Sequence, residues 1–298
     1  MRILIVGSGG QVGTELRRLD WAPGHVVTAV DQPELDITDR AAVLGAVADL
    51  RPDVLINAAA YTAVDRCETE VALATAVNRD GPAHLAEACA KVGAALLHIS
   101  TDYVFDGDKP GAYVEDDPVC PLGVYGQSKE AGERAVRDAL DRHIILRTAW
   151  VYAAHGANFV RTMLRFGAER DELRVVADQV GCPTSAADIA RALARIAEAT
   201  AGEGAENAWG TYHYAGAGVT SWHGFAERVF DYAEPVWGRR PRVTAITTDE
   251  WPTPTRRPKN SALDCSRVVA TFGVERPSWQ DSLRPVVAAL LAADQPAT

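Results

Sequence analysis

The stretch "RILIVGSGGQVGTEL" (2–16) places four glycines within seven residues, directly after a short apolar run. Such a run predicts a buried strand, and the residues after the glycines have the apolar spacing of a helix. Glycine allows a tight turn with a close backbone approach, and the free N–H groups at a helix start favour anions. The stretch therefore predicts a turn that binds the pyrophosphate of a dinucleotide, although such a turn also occurs without a ligand.

The spacing of these glycines distinguishes two forms of the turn. The pattern G-x-G-x-x-G fails at Val12, whereas the pattern G-x-x-G-x-x-G fits Gly7, Gly10 and Gly13. Gly9 is then the spare glycine. Asp31 ends the next strand-like run (25–31), where a carboxylate would accept hydrogen bonds from an adenosine ribose. A carboxylate there disfavours a 2′-phosphate and so favours NADH over NADPH, although Asp31 could equally cap a helix or lie in a solvated turn.

The composition predicts a soluble globular protein with neither nucleic acid nor membrane as a partner. Of the 298 residues, 47% are apolar, and 40 acidic against 30 basic side chains leave a net charge of −10. Nucleic acids and anionic membranes bind basic surfaces, which this balance argues against. The cysteines are odd in number and scattered, which predicts a reducing cytoplasm rather than a disulfide framework. We also expect no signal peptide.

Strand-like and helix-like segments alternate through the first half of the chain. Apolar runs that predict strands occupy 2–7, 25–31, 52–60, 94–101 and 143–152. Helical patterns lie between them, at 11–19, 39–50, about 68–92 and 123–140. This alternation predicts an α/β fold, a Rossmann-like doubly wound parallel sheet with helices on both faces.

The alternation weakens after residue 152. Helical patterns at 158–169 and 186–200 and a strand-like run at 211–216 continue the chain. We therefore predict an NAD(P)-binding Rossmann domain over 1–152 and a smaller, mainly substrate-binding C-terminal lobe over 153–298. Segments within about 186–216 are expected to return to the Rossmann domain.

Three side chains are candidates for catalysis at the carboxyl edge of the predicted sheet. Tyr125 and Lys129 lie four residues apart in "VYGQSKEAGE" (124–133), on one face of a helix. A tyrosine can donate the proton that a ketone oxygen needs after hydride transfer, and a nearby ammonium lowers its pKa from about 10. The third comes from the preceding strand, which delivers Ser100, Thr101 and Asp102 to its carboxyl end, where a hydroxyl could hydrogen-bond the substrate carbonyl. Each motif is ordinary alone, but together with the glycine turn they predict a ketone reductase.

With these motifs the chain resembles the extended short-chain dehydrogenase/reductase family, in which G-x-x-G-x-x-G precedes a Ser/Thr, Tyr and Lys triad. Stretches such as "STDYVFDG" (100–107), "DQVGCPT" (178–184) and "RRPKNSAL" (256–263) extend the likeness over nearly the whole chain. The resemblance implies reduction of the C4 ketone of a dTDP-linked 4-keto-6-deoxyhexose, with NADPH or NADH as cofactor.

The resemblance also implies roles for individual residues. Tyr125 would donate the proton, Lys129 would tune it and hold the nicotinamide ribose, and Thr101 would bind the carbonyl. The cofactor would contact Gly7, Gly10, Gln11, Val12, Gly13, Asp31, Asp36, Ile37, Asn57, Ala58, Ala59, Tyr61, Tyr125 and Lys129. The substrate would contact Thr62, Val64, Asp65, Thr101, Asp102, Tyr103, Trp150, Asn158, Gln179 and Arg257. A guanidinium at that last position could pair with the diphosphate in bidentate fashion.

The chain departs from its relatives at two places. Tyr61 stands where many relatives have histidine, which leaves the choice of sugar less defined. Some relatives dimerise through a magnesium ion held by acids of the first helix and of the segment after "PT". Glu15 is present here, but "PTSAADIAR" (183–191) offers only Asp188. We therefore expect no bound metal, and a monomer or weak homodimer.

Other functions fit parts of the same pattern. A 4-ketoreductase of another dTDP-deoxysugar would share every residue named above. An epimerase or 4,6-dehydratase shares the fold, but such dehydratases carry a second acid where this chain has Tyr103. A non-catalytic, cofactor-binding regulatory subunit need not retain the triad, which is intact here.

Overall fold

The computed structural model describes residues 1–201 and 207–293. Its strands are β1 (Arg2–Val6), β2 (Val26–Val30), β3 (Val54–Asn57), β4 (Ala95–Thr101), β5 (His143–Thr148), β6 (Val151–Tyr152), β7 (Glu172–Val176), β8 (Val180–Gly181), β9 (Thr184–Ser185), β10 (Gly210–His213), β11 (Thr220–Ser221), β12 (Arg242–Ile246) and β13 (Asn260–Ser261). Its α-helices are α1 (Gln11–Arg18), α2 (Arg40–Leu50), α3 (Val64–Cys67), α4 (Val71–Thr75), α5 (Gly81–Val92), α6 (Val124–Ala139), α7 (Phe159–Glu169), α8 (Ala186–Thr200), α9 (Trp222–Trp237), α10 (Ser266–Phe272) and α11 (Trp279–Ala293).

Six parallel strands in the order β10-β5-β4-β3-β1-β2 form the central sheet. The strands β1, β3 and β4 are buried almost throughout, because helices cover both faces, and this explains their continuous apolar runs. The predicted Rossmann-like, doubly wound α/β fold is confirmed. The strand order reverses between β1 and β3, and such a switch point is where this fold binds ligands.

The two faces of the sheet have separate cores. Apolar residues of α1 and α8 pack on one face, and those of α2, α5 and α6 pack on the other. A third core holds α7, α9 and α11 against the two-stranded sheet of β7 and β12. Within the described residues, no helix combines the length and apolarity that crossing a bilayer requires. The domain boundary at residue 152 stays a prediction.

Two predicted elements are divided in the structure. The helix predicted over 68–92 consists of α4, one wide π-helical turn at Ala76–Asp80, and α5. Pro82 causes this break, because proline lacks an N–H and clashes with the carbonyl four residues earlier. The strand predicted over 143–152 consists of β5 and β6, because Trp150 has a φ of 51°, outside the extended region.

Candidate active site

The glycines between β1 and α1 have different roles. Gly7 has a φ of 79°, and a Cβ there would lie 2.4 Å from the backbone nitrogen of Ala59. A Cβ on Gly13 would lie 2.1 Å from the carbonyl oxygen of Gly7, so α1 packs directly on the turn. On Gly10 a Cβ would stay 3.4 Å from that oxygen. The fold of the chain itself therefore requires Gly7 and Gly13, whereas Gly10 is less constrained by the protein.

That Gly9 is the spare glycine of the cofactor turn stays a prediction, and this residue contacts the acid that follows β2. Its N–H donates to Asp31 Oδ2 at 2.5 Å, and a Cβ would lie 2.7 Å from that oxygen. The other carboxylate oxygen of Asp31 accepts the N–H of Gln32 at 2.8 Å. Two backbone N–H groups therefore hold the carboxylate at the rim of the glycine turn, directly after β2.

Replacing Gly13 by Ala is expected to lower the free energy of unfolding by about 1–3 kcal/mol, because the added methyl overlaps backbone that cannot move separately. Gly45 provides a matched control, since it also lies in a helix and an added Cβ there meets nothing within 4 Å. Gly45→Ala is expected to raise stability by about 0.4–1 kcal/mol. Urea unfolding of the two variants measures the difference; equal midpoints would contradict the close packing of Gly13.

A cavity of about 390 Å³ opens beside the glycine turn, at the ends of β2 and β3. It is lined by Val6, Gly7, Gly10, Asp31, Gln32, Leu35, Asp36, Ile37, Ala58, Ala59, Ala60, Tyr61, Leu73 and Val77. Its volume lies in the range of small-molecule sites, which are mostly apolar with a few placed polar groups. Apolar walls with a carboxylate at the rim and a glycine turn at one end fit the adenosine and pyrophosphate of a dinucleotide.

Several residues predicted to bind the cofactor also support the protein around it. Asp36 Oδ1 accepts both the backbone N–H and the hydroxyl of Thr38, and Ile37 is buried. Val12 is buried in the core between α1 and the sheet. Gln11 Oε1 accepts the side-chain amide of Asn158 at 3.0 Å, which ties the start of α1 to the start of α7.

The end of β3 passes against the glycine turn. Asn57 is fully buried, and its Oδ1 accepts the N–H of Ala59 at 3.0 Å. Its Nδ2 lies 3.0 Å from Nδ1 of His98 on the neighbouring strand. Ala58 donates its N–H to the carbonyl oxygen of Val6 at 2.9 Å. The structure thus brings Asn57, at the end of β3, and the two alanines that follow it beside Gly7, where the sequence predicts the cofactor.

Thr101, Tyr125 and Lys129 meet at the carboxyl end of β4, and their exposures are only 6%, 8% and 2%. Thr101 ends β4, Tyr125 lies in the first turn of α6, and Lys129 follows one turn later. Lys129 Nζ donates to the carbonyl oxygen of Ile99 in β4 at 2.7 Å. The rings of Tyr125 and Tyr103 meet edge to face, with centroids 5.4 Å apart. Packing therefore holds the three predicted catalytic side chains in one dry cluster.

Burial dominates the acid–base properties of this cluster. It raises the pKa of Tyr125, while hydrogen bonding by the Thr101 hydroxyl opposes that rise. It lowers the pKa of Lys129 to about 8, against the raising effect of Glu133. The net pKa of Tyr125 is therefore raised, opposite to the predicted lowering, because burial outweighs the contributions that favour the phenolate. The phenol is held in its neutral form, the form that can donate a proton.

Arg257 joins segments that the sequence assigns to the substrate. Its Nη1 donates to the Tyr103 hydroxyl at 3.0 Å, and its Nη2 donates to Asp65 Oδ2 at 2.8 Å. Thr255, in the same loop, donates its hydroxyl to the carbonyl oxygen of Val64 at 3.1 Å. Val64 and Tyr103 both pack on the small cluster that contains the catalytic tyrosine. The structure therefore brings a guanidinium to the edge of the catalytic cluster.

The remaining predicted substrate residues differ in their surroundings. Asp102 is 3% exposed, burial raises its pKa to about 6, and its Oδ2 accepts no hydrogen bond from the residues that the structure describes. Gln179 is buried and donates to the Thr248 hydroxyl at 3.1 Å. Thr62 is exposed in the loop before α3. Asn158 caps α7 and donates to its own loop and to α1, so its side chain serves the protein itself.

Asn78, which was not predicted from the sequence, links the cofactor side to the catalytic helix. This buried side chain accepts the N–H of Tyr61 at 2.8 Å, donates to its carbonyl at 3.0 Å, and donates to Ser128 Oγ at 3.1 Å. Ser128 in turn donates to the carbonyl oxygen of Tyr125 at 2.8 Å. Asn78 lies in the π-helical turn, a feature frequent at functional sites. Pro82 inside a helical pattern was the available signal.

Glu133, which was also not predicted from the sequence, is fully buried one turn after Lys129. Its carboxylate accepts Nε of Arg147 at 2.9 Å and Nη2 at 2.7 Å, and the Ser100 hydroxyl at 2.6 Å. The ion pair joins α6 to β4 and β5 beneath the catalytic cluster. The only signal in the sequence was the spacing of four residues between this acid and the candidate catalytic lysine, Lys129.

Comparison with known proteins finds relatives that match nearly the whole chain. The family model described as the RmlD substrate binding domain matches residues 1–292. The dTDP-4-dehydrorhamnose reductase of Sinorhizobium fredii is 45% identical, over 98% of this chain and 98% of its own. The crystal structure of a dTDP-4-dehydrorhamnose reductase from Clostridium acetobutylicum superimposes with a TM-score of 0.91 at 40% identity, covering 97% of this chain and 99% of its own. That of the Bacillus anthracis reductase, solved in complex with NADP, gives 0.89 at 37% identity, with 96% and 98% covered.

Proposed function

This chain belongs to the dTDP-4-dehydrorhamnose reductase family, and from that premise we propose that it reduces the C4 ketone of dTDP-4-dehydro-L-rhamnose to give dTDP-L-rhamnose. It is an NAD(P)H-dependent oxidoreductase. The observation that carries the proposal is the dry cluster of Thr101, Tyr125 and Lys129 at the carboxyl end of β4. A glycine turn and cavity suited to a dinucleotide lie at the same edge of the sheet.

Each member of the cluster has a separate task. A bound nicotinamide cofactor supplies the hydride. Thr101 donates a hydrogen bond to the ketone oxygen, and Tyr125 donates the proton that completes the alcohol. Lys129, with its pKa lowered by burial to about 8, is still an ammonium at neutral pH and stabilises the phenolate that the proton leaves behind. Exclusion of water around the cluster strengthens these interactions.

Arg257 is proposed to bind the diphosphate of the sugar nucleotide. A guanidinium suits a diphosphate because it can donate two parallel hydrogen bonds. Here it is already positioned by Tyr103 and Asp65, so its side chain is ordered at the edge of the catalytic cluster. Trp150 and Gln179 are proposed to complete the substrate side.

The carboxylate of Asp31 is proposed to set the preference between the two cofactors. Replacing it by Asn should raise the ratio of kcat/KM for NADPH to that for NADH by about tenfold, because the change removes a negative charge close to the 2′-phosphate. Glu34, which accepts the N–H of Asp31 at 3.1 Å, provides the control variant Glu34→Gln. A ratio that rises equally in both variants would assign the effect to general charge rather than to Asp31.

The decisive test of the proposed function is oxidation of NADPH and NADH by the purified protein over a panel of dTDP-4-ketosugars. We expect the highest kcat/KM with dTDP-4-dehydro-L-rhamnose. A higher kcat/KM with another sugar would favour the second candidate function, a 4-ketoreductase of a different dTDP-deoxysugar. Tyr61, which stands where many relatives have histidine, is the reason to test this candidate. Cofactor binding without turnover of any sugar would favour a regulatory subunit and exclude both reductase functions.

The proposal also includes the cellular location of the enzyme, its oligomeric state and its division into domains. We place it in the cytoplasm, because its five cysteines are free thiols, and propose a monomer or weak homodimer without a bridging metal. Residues 1–152 would form the cofactor domain and 153–298 mainly the substrate lobe. The second lobe of the described chain has its own apolar core, which supports this division.

A further inference from the structure

Trp150 has a strained backbone where β5 passes into β6. Its φ of 51° lies in the left-handed region, which is unfavourable for a bulky side chain and persists only where the surroundings enforce it. Thr184 donates its N–H to the Trp150 carbonyl oxygen at 3.1 Å. A Cβ on Gly181 would lie 2.5 Å from the indole, so the ring rests directly on the glycine backbone. The protein therefore holds this tryptophan in a defined orientation.

A second tryptophan, Trp222, also restricts the orientation of the Trp150 ring. The indoles of Trp150 and Trp222 are stacked, with centroids 3.5 Å apart and planes inclined by 8°. Trp222 begins α9, which Ser221 caps by accepting the N–H of Gly224 at 3.0 Å. Phe159 supports the Trp222 ring at a centroid distance of 4.7 Å. Both indoles are partly exposed and pack against the apolar core of α7, α9 and α11.

One small sheet sets the position of both rings. In it β11 pairs with β8 so that Thr220 lies opposite Gly181, immediately before the start of α9. On the other side of β8 lies β13, which follows the loop that contains Arg257. The support under Trp150, the ring stacked on it and the proposed diphosphate ligand thus belong to one three-stranded unit.

We propose that Trp222 is a positioning residue for the sugar nucleotide, which holds the Trp150 indole as a preformed wall of the substrate site. This inference rests on the proposed function, because it takes Trp150 as a substrate contact. Restricting a ring before binding removes an ordering cost from the binding step. Trp222 acts through Trp150 and takes no part in hydride or proton transfer. Its removal should therefore weaken substrate binding and leave the chemical step unaltered.

The test compares Trp222→Ala and Trp222→Phe with Trp237→Phe, a matched change at the opposite end of α9. Steady-state kinetics with the best ketosugar of the panel and circular dichroism are measured on each full-length variant. Stacked indoles produce an exciton-coupled band in the far ultraviolet. We expect Trp222→Ala to lose this band and to raise KM for the sugar nucleotide about tenfold, and Trp222→Phe to raise it about threefold, as for the loss of an aromatic pair.

The kcat of both Trp222 variants and their KM for NADPH should stay within twofold of the parent, and Trp237→Phe should keep both the band and the kinetics. Loss of the band without a change in KM would overturn the proposal. A fall in kcat that equals the rise in KM would also overturn it, because Trp222 would then affect the chemical step. If the parent protein turns over no ketosugar, the proposed function fails instead; should Trp222→Ala not fold, the Trp222→Phe kinetics decide.

Discussion

Tyr125→Phe is expected to lower kcat with the ketosugar by about 10²–10⁴-fold, the usual contribution of a positioned general acid. Phenylalanine fills the same volume in the buried cluster and keeps the edge-to-face contact with Tyr103. Only the hydroxyl is lost, and with it the donor of the proton. KM for the sugar nucleotide and the affinity for NADPH should therefore change little. Stopped-flow oxidation of NADPH in a single turnover measures the chemical step directly.

Tyr152→Phe is the matched control for this variant. Tyr152 is a fully buried tyrosine of β6 that packs in the core of α7, α9 and α11, and its hydroxyl donates to the Trp279 carbonyl oxygen at 3.2 Å. Its loss should cost about 1 kcal/mol of stability, the usual value of a hydrogen bond, with the rate of reduction preserved. A full rate in Tyr125→Phe would show that another group donates the proton.

Glu133→Gln is expected to lower the free energy of unfolding by about 3–5 kcal/mol, because it leaves the buried Arg147 guanidinium without its counter-charge. Burial alone would raise the pKa of Glu133, but Arg147 and Ser100 lower it overall, so the native carboxyl is charged at neutral pH. Guanidinium chloride unfolding measures the loss. Glu130→Gln is the control, since Glu130 pairs on the same helix with Arg134, whose side chain is 65% exposed. Such surface pairs contribute about 0–1 kcal/mol.

The same variant should also change the pH dependence of the reaction. Burial lowers the pKa of Lys129 to about 8, and the charge of Glu133 limits that fall. Lys129 is an ammonium below this pKa, so kcat should decline as pH rises through about 8. Without the Glu133 charge the pKa falls further, and the decline should begin at a lower pH. An unchanged pH profile in Glu133→Gln, with the expected loss of stability, would exclude Lys129 as the titrating group.

Local patterns in the sequence were sufficient for the fold class and for the family. Alternating strand and helix segments predict a parallel sheet, because successive crossovers pack back onto it with one handedness. Gly7 and Gly13 were found from spacing, and the structure explains both through backbone contacts shorter than a Cβ allows. The cluster of Thr101, Tyr125 and Lys129 was found in the same way, since the carboxyl ends of parallel strands share one edge.

Tertiary structure alone decided the interactions that support this site. Asn78 with Ser128, Glu133 with Arg147, and Trp150 with Trp222 are separated in sequence and meet only after folding. Neither periodicity nor spacing encodes which distant side chains will meet, because burial and crossing geometry select them. The pKa directions of Tyr125 and Lys129 were decided in the same way, since they follow from exclusion of water, which depends on every neighbouring element. The sequence determined the fold and the candidate reaction because both depend on local spacing, while the environment of the reacting groups arises from long-range packing.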